Sequence, residues 1–238
     1  MRKFVLCVAF ITSPALLAAQ DVRAPDLTEE TTFARLNEVL PLEVAQDVIA
    51  VVSDATSRGL PGLTIANRVL EGAAKGRSGE EVRAAAHALS RDLGGARNAL
   101  IEAGRTPEAS EIEAGAAALG MGVDGKTISE VARQAPSGRS LTVPITVIGQ
   151  LVERGLPSDE VLAEVLARLE QRLEDRELAE LPGQAGRLIA EGHRPADVGL
   201  TLASQRAGRT LPAGPPASVP RNNGNPDRPA RPAPPQRP

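Results

Sequence analysis

The chain has 238 residues, of which 42% are hydrophobic, 24% are charged and 1% are aromatic, and its formal net charge at pH 7 is −3. It has no Trp or Tyr, and two of its three Phe residues, Phe4 and Phe10, lie in a segment that we expect to be removed. Because stacking on aromatic faces supplies much of the binding energy for single-stranded bases and for cations, this composition disfavours a nucleic-acid or carbohydrate reader. A core of Leu, Val, Ile and Ala suits closely packed helices better than sheets, so the composition predicts an all-α fold.

Residues 1–19 have the pattern of a Sec-type signal peptide. Two basic residues precede an apolar run at 4–11, and small residues lead to Ala19. Cleavage after Ala19 would leave Gln20 at the N-terminus of an exported protein, either periplasmic or secreted. The alternative is an uncleaved membrane anchor, which the shortness of the apolar stretch and its interruption at Ser13-Pro14 disfavour.

Cys7 is the only cysteine, and it lies within this predicted signal peptide. The mature chain would therefore have no disulfide, no thiolate nucleophile and no thiolate metal ligand. We expect its stability to come from packing.

Residues 20–210 are predicted to form a single α-helical domain with degenerate internal repeats. The octet LIEAGRTP at 100–107 aligns without gaps with LIAEGHRP at 188–195, and shorter relatives occur at 151–157 and 58–61. In each copy, a Gly can end one helix in the left-handed conformation, and a nearby Pro fits the start of the next helix. The predicted structural corners are Gly59 with Pro61, Gly104 with Pro107, Gly155 with Pro157, and Gly192 with Pro195.

Between these corners, apolar residues recur at helical spacing, as in Val161, Val165 and Leu169. Ser78 and Thr127 have the spacing of capping-box residues, and Thr106 is placed before another helix start at Pro107. The predicted helices are 29–39, 42–57, 62–74, 79–93, 95–103, 107–119, 128–135, 142–154, 158–175, 178–191 and 195–207.

Short connections force consecutive helices to lie side by side. The sequence therefore predicts about ten short helices joined by Gly/Pro corners, either as an array or as a compact bundle. Looser copies of the corner occur at Gly76, Gly122 and Gly138. The two longest intervals between successive corners then follow Gly76 and Gly155, and each is expected to hold two helices.

Residues 211–238 form a Pro- and Arg-rich tail that we expect to be disordered, because they contain ten of the twenty prolines and few apolar residues. The tail has a net charge of +3, whereas residues 20–210 have a net charge of −8. It is a candidate contact for an anionic envelope component or for a Pro-reading partner, and a purely solvating tail is the alternative. The candidate contact residues are Arg221, Arg228, Arg231 and Arg237.

Residues that could support catalysis are present but do not form a recognisable constellation. His87 and His193 have no His or Cys at helical ligand spacing, and we expect both on the surface. The segment 120–127 ends in Gly-Lys-Thr but lacks the first glycine of a phosphate loop, so we interpret it as a helix corner with Thr127 as the N-cap. Alternating Glu and Arg residues at 168–177 are typical of a solvated, salt-bridged helix face. We predict no catalytic, cofactor-binding or metal site.

The pieces Gly59-Leu60-Pro61 and Glu71-Gly72-Ala73-Ala74-Lys75-Gly76 resemble a group of exported bacterial helical proteins that are rich in Ala and Arg and for which no activity is known. The resemblance covers about residues 58–195. The resemblance implies a helical fold and export, and it indicates neither an activity nor a functional site.

These observations favour an exported, non-enzymatic helical interaction or scaffold module of the cell envelope. Its expected partner is a protein or an anionic envelope component, with no nucleic acid, no cofactor and no transmembrane span after signal removal. The alternatives are a carboxylate-dependent envelope hydrolase and a periplasmic holdase-type chaperone. The sequence leaves the oligomeric state open.

Overall fold

The structure is a computed structural model, in which residues 28–210 are described, and side chains as far as residue 206. All regular secondary structure in this part of the chain is helical, and it contains no strand. Its helices are α1 (Glu29–Val39), α2 (Leu42–Ser57), α3 (Gly62–Ala74), α4 (Gly79–Glu102), α5 (Ala109–Gly120), α6 (Gly125–Gln134), α7 (Thr142–Glu153), α8 (Ser158–Glu170), α9 (Asp175–Ala179), α10 (Leu181–Ala190) and α11 (Pro195–Thr210). The all-α prediction is confirmed. The predicted signal peptide and the predicted tail lie outside the described residues.

The helices form an open array in chain order. Every pair of helices in extensive contact lies within three places of each other along the chain. For example, α1, α2 and α3 pack extensively only on one another and on α4. At the other end, α11 packs on α8 and α10. Each helix is thus stabilised mainly by its near neighbours, as in stacked helical repeats.

Small residues let these helices approach one another closely. A Cβ atom added to Gly115 in α5 would lie 2.7 Å from the Ala96 Cβ atom in α4. A Cβ atom on Gly149 in α7 would lie 3.1 Å from the Ala118 Cα atom in α5. The core around these crossings consists of buried Leu, Ile, Val and Ala, and Phe33 packs against it from a partly buried position. Glycine therefore has a packing role here, which the sequence analysis did not predict.

Two predicted helices, 79–93 and 95–103, are one continuous 24-residue helix, α4, so the prediction of a break at Gly94-Gly95 was wrong. Neither glycine adopts a positive φ. A Cβ atom on Gly95 would lie 3.2 Å from the Leu119 Cδ1 atom, so the absence of a side chain there allows α5 to pack closely. The interval after Gly76 consequently holds one helix.

The interval after Gly155 holds three helices where two were predicted. The predicted helix 158–175 ends at Glu170, and the predicted helix 178–191 is divided into α9 and α10. Arg172, with φ 57°, turns the chain after α8 in the left-handed conformation that usually requires glycine. The sequence contains no Gly or Pro signal at this position, which explains why the corner was missed.

Two helix starts also differ from the prediction. Helix α5 begins at Ala109, two residues after Pro107, and Thr106 is not its cap. Helix α6 begins at Gly125 with Asp124 as its N-cap, so the assignment of Thr127 as the N-cap was wrong. The capping box of Ser78 with Glu81 at the start of α4 is confirmed.

The Asp124 cap makes this helix start sensitive to pH. The Thr127 backbone N–H donates to the Asp124 Oδ1 atom at 2.7 Å. This hydrogen bond, with a smaller contribution from the Lys126 charge, lowers the pKa of Asp124 below its ordinary value. The ionised cap therefore stabilises the fold above the unfolded-state pKa, and this stabilisation is lost as the pH falls through the lower folded-state pKa.

We expect Asp124→Ala to lower the free energy of unfolding at pH 7 by about 1 kcal/mol, because it removes the cap. Asp124→Asn keeps a capping side chain that cannot ionise, so the wild-type protein should lose its advantage over this variant as the pH falls below about 4. Urea unfolding curves of the three proteins between neutral and acidic pH test this expectation. A difference between wild type and Asp124→Asn that stays constant over this range would contradict it.

Two helix-interior glycines should respond in opposite ways to alanine. Gly94→Ala should raise the free energy of unfolding by about 0.5–1 kcal/mol, because Ala favours a helix and the nearest atom to the new Cβ is the end of the Arg58 side chain at 3.9 Å. Gly115→Ala should lower it by about 1–3 kcal/mol, because the new methyl group meets Ala96. Urea denaturation measures both, and equal effects of the two changes would show that close approach does not determine the role of Gly115.

Candidate functional site at the α4–α6–α7 corner

A concavity of about 460 Å³ lies where the α4–α5 corner meets the α6–α7 corner. We call it the Arg105 concavity. Gly104, with φ 79°, turns the chain after α4 and directs the following residues towards the end of α6. The charged residues that line the concavity are Arg105, Glu108, Glu111, Arg133 and Arg139.

Arg105 connects the two corners. Its Nε atom donates to the Ala132 carbonyl oxygen at 2.9 Å, and its Nη2 atom donates to the carbonyl oxygens of Ala135 at 3.1 Å and Pro136 at 3.4 Å. Carbonyl groups at the end of a helix lack intrahelical partners, and they lie at the negative end of the helix dipole. The guanidinium group therefore caps the end of α6 from a neighbouring corner.

Glu111 connects the starts of two helices. This residue is only 8% exposed, its Oε1 atom accepts from the Leu141 N–H at 2.8 Å, and its Oε2 atom accepts from the Glu108 N–H at 3.1 Å. Backbone donors at the starts of α5 and α7 are thus satisfied by one carboxylate. Its two oxygens are engaged in holding α5 and α7 together.

Arg139 extends the connections to the next helices. Its Nη2 atom lies 2.7 Å from the Asp175 Oδ1 atom in the first turn of α9. The Arg139 side chain is 18% exposed, whereas that of Arg133, which pairs with Glu130 on the surface of α6, is 49% exposed. The polar groups of the concavity chiefly fix the relative positions of α5, α6, α7 and α9.

The predicted corner residues are distributed along the array and do not form one site. Gly59, Gly104, Gly155 and Gly192 follow α2, α4, α7 and α10, with φ values of 72°, 79°, 86° and 97°. Pro61 and Pro157 are the N-cap residues of α3 and α8, Pro195 begins α11, and Pro107 precedes α5 without capping it. Two of these corners meet, because a Cβ atom on Gly155 would lie 3.6 Å from the Pro195 Cβ atom. The candidate tail contacts Arg221, Arg228, Arg231 and Arg237 lie outside the described residues.

A buried ion cluster joins α8 to α11, and it corrects the expectation of a solvated face at one position, Arg168. The other residues of that predicted face are exposed as expected, namely Glu170, Arg172, Glu174, Arg176 and Glu177. Arg168 is 4% exposed, and its Nε atom donates to the Glu164 Oε1 atom at 2.7 Å. Arg206 of α11 donates from Nε to the Glu164 Oε2 atom at 3.1 Å. Glu164 and Arg168 lie on the same stripe of α8 as the buried Val161 and Val165, so their helical register was a signal that could have revealed their burial.

Both histidines are exposed, as predicted. The His87 side chain is 48% exposed, with its Nε2 atom 3.3 Å from the Asp47 Oδ2 atom, and His193 lies in the α10–α11 corner. Within residues 28–210, no group of three or more His, Cys, Asp or Glu side chains could hold a metal ion. None of the helices described is both long enough and apolar enough to cross a membrane.

The fold and the Arg105 concavity define an all-helical array whose corners are held by polar side chains. Comparisons of the chain with models of protein families, with curated proteins and with solved structures gave no match.

The multiple acceptors of Arg105 lead to a prediction. Arg105→Lys retains the charge, but the compact ammonium group cannot span the three carbonyl groups that the planar guanidinium group reaches. We therefore expect the free energy of unfolding to fall by about 1–3 kcal/mol. Arg133→Lys is the matched control, because Arg133 lies on the same concavity in an exposed ion pair that contributes about 0–1 kcal/mol. Urea unfolding gives the energies, and amide hydrogen exchange at the end of α6 should increase only in Arg105→Lys. Equal behaviour of the two variants would contradict the bridging role.

Proposed function

We propose that this chain is an exported, non-enzymatic helical interaction or scaffold module of the cell envelope. The observation that carries the proposal is the open array, in which helices pack on near neighbours and leave their remaining faces exposed along its length. Extended arrays of this kind offer broad surfaces suited to macromolecular partners.

The use of polar groups in the Arg105 concavity supports the same proposal. Arg105 donates to three backbone carbonyl groups, and Glu111 accepts from two backbone N–H groups. These side chains are engaged in positioning neighbouring helices. This arrangement is expected of a rigid surface, whereas a general acid–base pair would need groups available to hydrogen-bond to a substrate.

The charge distribution of the sequence suggests two places where a partner could bind. Residues 20–210 have a net charge of −8, and residues 211–238 have a net charge of +3 with four Arg residues among ten prolines. The tail would suit an anionic envelope surface or an acidic protein, whereas the helical body would suit a protein partner. Export rests on the signal-peptide pattern of residues 1–19 and on the resemblance to exported Ala- and Arg-rich bacterial proteins.

Crosslinking in cells, followed by affinity purification and mass spectrometry, tests the proposal. The complete sequence, a chain ending at Thr210, and a full-length variant with the four tail arginines replaced by Gln are compared, and cell fractionation of each reports localisation. A partner lost in both altered chains would place binding on the tail charges. A partner lost only on truncation would assign it to the rest of the tail, and one retained by all three would place it on the helical body.

The proposal also specifies what must not be found. Purified protein should show no hydrolysis of isolated envelope polymers. Turnover that disappears on replacement of a single carboxylate would establish the hydrolase alternative, whereas suppression of the aggregation of unfolded proteins would favour the chaperone alternative. Recovery of the chain in the cytoplasm with its N-terminus intact would contradict export.

A further inference from the structure

The first end of the array has an exposed apolar corner. Val39 at the end of α1 is 48% exposed, Leu42 at the start of α2 is 67% exposed, and Pro41 between them is also exposed. We call these three residues the N-terminal apolar corner. Acidic residues flank it on both sides, at Glu38 and Glu43.

The last helix of the array has an exposed large apolar side chain, Leu200. It is 64% exposed, and Ala196, Ser204 and the partly exposed Ala203 lie near it on α11 at helical spacing. Asp197, three residues before Leu200, borders this side of the helix and pairs with Arg194 at 2.7 Å. The Ser204 hydroxyl donates to the Leu200 carbonyl oxygen at 2.9 Å, so it is satisfied within the helix. We call Ala196, Leu200, Ala203 and Ser204 the α11 outer face.

The position of these surfaces in the array is unusual. Of the four large apolar side chains that are exposed among the described residues, Val39, Leu42 and Leu200 lie in the first two helices and in the last one, and only Ile101 lies between. The terminal helices of a stacked array ordinarily present polar outer faces to solvent. Interior helix α5, by contrast, packs extensively on both α4 and α7, and its Ile112 is buried.

The two ends also carry opposite charge. Residues 28–57 contain six carboxylates and one Arg, whereas residues 181–210 contain four Arg and two carboxylates. Each end is therefore electrostatically complementary to the other end of a second copy.

We propose that copies of this chain associate head to tail, with the N-terminal apolar corner of one copy packed against the α11 outer face of the next. The segment 211–238 of the same chain matches the acidic end in charge, but Leu211 and Val219 are its only large apolar residues, so it suits the apolar corner less well. A contact between two different surfaces leaves one surface free on each partner, so it links copies into an open chain, or into a ring where the rotation between copies closes. This inference goes beyond the proposed function, because it requires no other envelope component.

Sedimentation velocity of the complete protein over a series of concentrations tests the proposal. We expect species larger than a dimer that grow with concentration and diminish at high salt, because screening weakens the attraction between the charged ends. Leu42→Glu and Leu200→Glu should each weaken the association at least ~10-fold. Ile101→Glu is the matched control, because it changes the remaining exposed apolar residue, and it should associate like the wild type.

A mixture of the two variants distinguishes this arrangement from others. Leu42→Glu keeps an intact α11 outer face and Leu200→Glu keeps an intact N-terminal apolar corner, so an equimolar mixture should form heterodimers. Growth should stop there, because the remaining contact would bring the two introduced Glu residues together. Circular dichroism of each variant verifies that the helices are retained.

Three results would overturn the proposal. The first is a monomer at every concentration, as docking of the tail on its own chain would give. The second is a symmetric dimer that persists in one of the two variants. The third is a mixture in which the two folded variants remain separate.

Discussion

The close approach of helices at small residues is the constraint on which the rest of this structure depends. With one Phe in the described core, the chain has no large side chains to fill wide spaces between helices. Crossings such as Gly115 on Ala96 and Gly149 on Ala118 solve this problem, because they reduce the distance between helices until Ala, Val and Leu fill the space. A methyl group inserted at such a crossing must displace a Cβ or a backbone atom, which makes these glycines structural.

Surfaces made of Ala and Leu are similar to one another, so close packing alone leaves the register of neighbouring helices weakly specified. Three polar connections supply directional contacts at defined places: Arg105 on the end of α6, Glu111 on the start of α7, and Glu164 between Arg168 and Arg206. The last of these is buried, and such a cluster contributes little net stability because its charges must be desolvated. We interpret it as a register device that selects one position of α11 on α8.

The sequence predicted those features of the fold that arise from local chemistry. Helices α1, α2 and α3 have the predicted bounds, because Pro and Gly residues around them mark each turn. The break at Gly94-Gly95 was wrong, since a glycine required for close packing looks the same in sequence as a glycine that ends a helix. The corner at Arg172 was missed for the opposite reason, because a left-handed residue with a side chain carries no local signal. The Arg105 concavity depends on residues about thirty positions apart, and periodicity within one segment cannot report such contacts.

The packing constraint also affects where an array of this kind can interact with other molecules. Close crossings leave little space between helices, and two of the concavities lie at corners: the Arg105 concavity, and one of about 370 Å³ between the end of α3 and the start of α4. The second contains Arg68, Lys75, Arg77, Glu71 and Glu81, which form ion pairs with one another. Both concavities are therefore occupied by contacts that stabilise corners, and the uncommitted surface lies on helix faces and at the two ends. Because each interior helix has neighbours on both sides and a terminal helix has neighbours on only one, the ends are the places where a further helix can pack in the same way as the helices within the chain.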